Sequence, residues 1–131
     1  IMIVKYEITN DSSSERELWF GSEFNFAISS PDDENCFYEV ENKRGRFSTK
    51  TCFGKTDSLR ISDKYIDVSL DITTSEPFDF FVFPIWTVSL SEGGFEKTYQ
   101  GSSITPNKKF SLKPKETFSF EIKILTEKRH Q

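Results

Sequence analysis

Two carboxylates, an amide and two aromatic rings follow one another around a pair of glycines at Glu92, Gly93, Gly94, Phe95, Glu96, Tyr99 and Gln100. Two carboxylates held about 5–10 Å apart are what cleavage of a glycosidic bond requires, one of them a proton donor with a raised pKa. Glu92 and Glu96, on either side of the glycine turn, have the right chemistry for that. Asp and Glu together number 21 in the chain, however, so a neighbouring pair is expected from composition alone, and no catalytic residue is assigned. The aromatic side chains offer a different chemistry. Sugar rings stack on Trp and Tyr faces while amides and carboxylates bond their hydroxyls. Trp19, Trp86 and Tyr99 are the stacking candidates, with Glu92, Phe95, Glu96 and Gln100 as accompanying contacts to a carbohydrate or a neighbouring domain. A competing reading puts Trp86 and Phe95 in the core and Tyr99 in a strand with its hydroxyl at the rim. The paired glycines permit positive φ and close approach of another chain or ligand.

Other site chemistries find little support. A Ser or Cys nucleophile needs a His base, and His130 is the single histidine, one residue from the end of the sequence. The same scarcity leaves Cys36 and Cys52 without partners for a Cys/His metal site. PDDEN (31–35) and DVSLD (67–71) carry oxygen ligands but lack the spacing of a calcium loop, so no metal and no cofactor is expected. Net charge is −4 with scattered Lys and Arg, which argues against nucleic acid. ENKRGR (41–46) reads as a solvated turn. No run approaches the about 18 apolar residues of a membrane span, and no signal-peptide pattern is present. Free buried thiols at both cysteines are expected, in keeping with a cytoplasmic protein.

The elements that carry these residues are strands. Fourteen Phe, four Tyr and two Trp make the chain 15% aromatic, a composition suited to a pleated, half-buried sheet. Ala27 is the lone alanine, so the best helix former is almost absent. Period-2 alternation sets Val4, Tyr6 and Ile8 on one face of a first strand. Leu18, Phe20, Phe24, Phe26 and Ile28 share a face of a long second strand, with Trp19, Gly21, Glu23, Asn25 and Ala27 on the other. A short strand is expected over Cys36–Val40, a weaker one over Phe47–Phe53, and a clear one through Ile66, Val68, Leu70 and Ile72. Phe78–Leu90 is apolar on both faces and asks for cover on both sides. Pro84 within it implies an edge or a bulge. Phe118, Phe120, Ile122 and Ile124 line a last strand. No helical stripe competes, which leaves one antiparallel β-sandwich over 1–131. The chain opens directly into a strand at Ile1-Met2-Ile3-Val4, and is expected to be a domain cut from a longer polypeptide.

The stretch TVSLSEGGFEKTYQGSSITP (87–106) resembles a signature of the C-terminal β-sandwich of glycoside hydrolase family 57, the α-amylase and 4-α-glucanotransferase group. Thr87, Val88, Ser89, Ser91, Glu92, Gly94, Glu96, Tyr99, Gln100 and Gly101 meet its pattern. YEITN (6–10) and FGSEFNFAI (20–28) resemble two earlier strands of the same family, in the same order. The resemblance implies an all-β, galactose-mutarotase-like supersandwich, whole or in part, attached to a catalytic barrel. It also implies that the catalytic nucleophile and acid lie in that barrel, whose motifs this sequence does not contain. The expected role is a non-catalytic accessory domain packed on the barrel of its own chain and touching α-glucan. The alternative is a free-standing carbohydrate-binding module. Oligomeric state is left open.

Overall fold

The structure, a computed structural model, describes residues 1–128. His130 lies outside the described residues. Among the described residues nine strands appear in chain order and pair throughout in antiparallel fashion: β1 Met2–Thr9, β2 Arg16–Gly21, β3 Phe24–Phe26, β4 Cys36–Val40, β5 Lys43–Gly45, β6 Thr51–Asp63, β7 Val68–Ser91, β8 Gly94–Leu112 and β9 Thr117–Lys128. No helix among the described residues is long and apolar enough to cross a membrane.

A single hydrogen-bonded sheet becomes a sandwich because β7, 24 residues long, serves two layers. Its first part, Val68–Thr74, lies between β6 and β9. Its later part pairs with β8, which in turn carries β2 and β3. β6 follows β7 around the corner with register shifts on both sides of Thr56, the bulges by which a strand bends from one layer to the next. The two layers then meet face to face. Phe20 of β2 packs edge-on against Tyr6 of β1 at 5.0 Å and against Phe120 of β9 at 5.2 Å between ring centroids. The Tyr6 hydroxyl also meets Ser22 Oγ at 2.6 Å. Phe78, Phe80, Val82, Ile104, Ile72, Ile122 and Leu59 are buried between the layers, each large one stabilising the fold by about 1.5–3 kcal/mol. The all-β antiparallel sandwich is therefore as expected.

Several details differ from expectation. The long second strand is two, β2 and β3, both on β8 and separated at Ser22–Glu23, though its apolar face is the inward one. ENKRGR is more than a turn: Glu41 and Asn42, at φ 49° and 66°, form a tight hairpin joining β4 to β5. Of Phe47–Phe53 only Thr51–Phe53 is strand, as the start of β6. Phe47 sits fully buried in a loop, edge-on to Tyr38 at 5.3 Å, and β6 begins only at Thr51. Ile66 belongs to the turn before β7 and is 52% exposed. Both cysteines are free, as expected, but Cys52 is exposed and only Cys36 is buried. Burial raises the Cys36 thiol pKa.

Candidate functional site

β7 loses β6 after the Thr51–Val82 pair and continues with β8 alone. Pro84, which has no N–H to donate, falls on this one-sided stretch opposite Ser102. The next feature is a bulge. Ile85 pairs with Gly101 and Trp86 with Tyr99, which leaves Gln100 as the extra residue. Its Nε2 donates to Thr87 Oγ1 at 2.9 Å. Both expectations for Pro84, an edge and a bulge, thus meet within three residues. Beyond the bulge the strands run out as a hairpin that closes at Glu92-Gly93, with Ser91 opposite Gly94.

Gly94 takes φ +114°, as a turn glycine does, yet nothing stands within 4 Å of a Cβ added at Gly93 or Gly94. The close approach lies instead at Gly101, where an added Cβ would sit 3.2 Å from the Phe26 carbonyl oxygen. Gly101 lets β3 settle against the hairpin base.

Alternation sorts the candidates by face. Trp86, Val88 and Leu90 continue the inward row of Phe80, Val82 and Pro84, and meet Tyr99, Lys97 and Phe95 across the hairpin. Lys97 Nζ lies 4.5 Å from the Trp86 ring, and Tyr99 meets that ring edge-on at 5.7 Å. Thr87, Ser89, Glu96 and Thr98 form the polar face. Val88, Leu90 and Phe95 are 65%, 78% and 81% exposed. Phe95 is therefore not a core residue. Tyr99 packs against the core, its hydroxyl 2.5 Å from Ser102 Oγ, and burial raises its pKa.

The six hairpin candidates share one element but do not converge. Glu92 lies in the turn, Glu96 on the polar face and Gln100 in the bulge, all exposed. Carboxylates that cleave a glycoside flank the bond from two sides, whereas Glu92 and Glu96 both stand on open surface of the hairpin.

Trp19 is elsewhere, on the outward face of β2. It is 60% exposed and its Nε1 donates to Asn107 Oδ1 at 3.0 Å. Asn107 is itself buried, its amide nitrogen donating to the Asp79 and Thr105 carbonyls at 3.2 and 3.1 Å. Lys109 Nζ lies 4.7 Å from the indole and Phe81 meets it edge-on at 6.2 Å. An exposed ring is thus held in one orientation by a buried amide. Asn107, Lys109 and Phe81 were not singled out from the sequence. Their only signal is strand pairing, which puts Lys109 opposite Trp19.

A groove along β4 to β7 gathers Arg44, Arg60 and Lys64. Arg60 makes two 2.9 Å bonds to Asp71, which raise its pKa, and Arg44 lies over Phe37 at 4.1 Å with Glu39 3.4 Å away. The two arginines are engaged within the fold, and Lys64 Nζ lies 5.6 Å from the Phe37 ring. No cluster of three or more His, Cys, Asp or Glu disposed to hold a metal occurs among the described residues.

Comparison with known proteins gives three concordant results. Residues 1–124 match the family described as "Alpha-amylase/4-alpha-glucanotransferase, C-terminal". Alpha-amylase 1 of Dictyoglomus thermophilum is 33% identical over 103 residues, covering 77% of this chain and 14% of that protein. The crystal structure of a 4-alpha-glucanotransferase from Thermococcus litoralis superposes with a TM-score of 0.65 at 21% identity, over 93% of this chain and 16% of that one. The chain thus spans about one-seventh of the length of its curated relative.

Proposed function

The chain belongs to the alpha-amylase/4-alpha-glucanotransferase C-terminal family, and on that premise we propose that it serves an α-glucan-acting enzyme as a domain without catalytic residues of its own. It packs on a catalytic barrel earlier in the same polypeptide and edges the substrate groove. The observation that carries this reading is the dispersal of the hairpin candidates: Glu92 and Glu96 lie exposed on different parts of an open hairpin. The test replaces both carboxylates, Glu92→Gln with Glu96→Gln, in the full-length enzyme and measures turnover of soluble starch. A kcat within about twofold of wild type is expected. Loss of 100-fold or more, the scale of a missing acid or base, would place catalysis here after all.

A second reading, direct binding of α-glucan, is favoured by Trp19. An exposed indole whose orientation is fixed by buried Asn107 has already lost the rotational freedom that binding would otherwise cost, so a sugar ring stacks on it at lower entropic expense.

A further inference from the structure

The β7–β8 hairpin has two unlike faces. Thr87, Ser89, Glu96 and Thr98 make one of them a surface for water. The other, Trp86, Val88, Leu90, Phe95 and Tyr99, with Lys97 among them folded over the Trp86 ring, extends the row that lines the core, yet three of its apolar residues are 65–81% exposed. Val88, Leu90 and Phe95 together leave on the order of 400 Å² of side chain bare, comparable with the largest apolar patch of a typical soluble protein. A two-stranded hairpin with one apolar face is marginal in water by itself. Its alternation is that of a strand pair covered on one side.

The hairpin is not isolated from other apolar surface. Its base, through Tyr99, joins the core cluster that contains Ile28. Ile28, with Phe26, Ile66, Val68, Leu70 and Asp63, lines a small, mostly apolar pocket of about 130 Å³.

We propose that the apolar face of the β7–β8 hairpin is the surface on which the preceding domain of the same polypeptide docks. The proposal rests on the reading above that the domain packs within a larger enzyme, and it names the face used. Two observations select that occupant over a second copy. The first is size. Two such patches stacked on one another bury on the order of 800 Å², the level of a lattice contact and below the roughly 1,200 Å² of a stable complex. A tethered partner, in contrast, meets the patch at an effective concentration near millimolar and needs no such area. The second is attachment. The matching family is described as C-terminal and this chain covers only 14–16% of two longer relatives, so a preceding domain is held to the patch by the polypeptide itself, as a second copy is not.

Hydrogen–deuterium exchange on the full-length protein tests this. In the wild type the amides of residues 87–98 should exchange at least about tenfold more slowly than in a Leu90→Asp, Phe95→Asp double variant, because docking adds to the cost of local opening. Ser89→Asp on the polar face should leave them protected, and amides of β9 should be unchanged in every variant. Should β9 lose protection in the aspartate variant, Phe95→Ala supplies the same comparison without an added charge. Equal hairpin exchange in wild type and variant would overturn the proposal. So would a wild-type dimer in sedimentation that the aspartate substitutions dissociate, which would make a second copy the occupant. Neither result alters the turnover expected of Glu92→Gln with Glu96→Gln, so the docking face and the non-catalytic reading stand or fall separately.

Discussion

Gly45 lies directly opposite Tyr38 in the β4–β5 hairpin, and the tyrosine ring occupies the space that any side chain at position 45 would fill. A Cβ added there would fall within the van der Waals envelope of Tyr38 Cζ, Cε2 and Oη. The ring has nowhere to go. Tyr38 is 2% exposed, edge-on to Phe47 at 5.3 Å and to Phe53 at 5.5 Å, and its hydroxyl donates to Thr51 Oγ1 at 3.0 Å. Gly45→Ala should therefore displace the ring. Two aromatic pairs at about 0.5–1.5 kcal/mol each and one hydrogen bond at about 1 kcal/mol are put at risk. Reduced freedom of the unfolded chain returns about 0.4–1 kcal/mol, which leaves a net loss of roughly 2–3 kcal/mol. Gly45 does not have a left-handed backbone, so backbone strain does not confuse the reading. Urea denaturation of the 131-residue chain should show the midpoint falling by about 1–2 M at unchanged slope. In a Tyr38→Ala background the same substitution should be neutral or slightly stabilising. A midpoint shift below about 0.3 M in the wild-type background, or equal shifts in both, would show that the ring does not depend on the glycine.

Acid stability should report on Asp63, which is buried at the end of β6 and accepts hydrogen bonds from the Ser29 amide at 2.9 Å and the Tyr65 amide at 3.1 Å. Burial pushes its pKa upward, but the hydrogen bonds outweigh burial and the net shift is downward. Its contribution is therefore present above the unfolded value of about 3.9 and is lost as pH falls through the lower folded value. The unfolding midpoint should drop across that window, and Asp63→Asn should flatten the drop; parallel curves for the two proteins would contradict this. Trp19→Ala in the full-length protein should weaken retention on granular starch by about tenfold, the scale of a lost stacking contact, and unchanged retention would remove glucan binding from this face.

The strands that could be read from the sequence were those whose alternation runs unbroken. Val4, Tyr6 and Ile8 or Phe118 to Ile124 need only a period of two, and the structure places both sets inward. β6 escaped because its bulges shift the phase: Thr56 is buried, and the pattern resumes at Leu59, Ile61 and Asp63 on the other parity. Phe47 misled in the opposite direction, since a fully buried aromatic in a loop looks locally like the start of a strand.

At the candidate site, the string from Thr87 to Gly101 is enough to indicate the family and the presence of a glycine turn. Local chemistry suffices for that: a Gly at positive φ, a Pro at an edge, aromatic and β-branched residues in strands. What covers each face is a non-local matter, and only the tertiary structure decided it. Whether Phe95 is core depends on how far β6 accompanies β7, which is settled some forty residues earlier in the chain. Trp19 acquires its fixed orientation from Asn107, a neighbour created by the β2–β8 pairing. Alternation along a strand shows that one side wants to leave water. The packing of the whole sheet determines which part of that side has done so, and at the β7–β8 hairpin it has left the apolar face exposed.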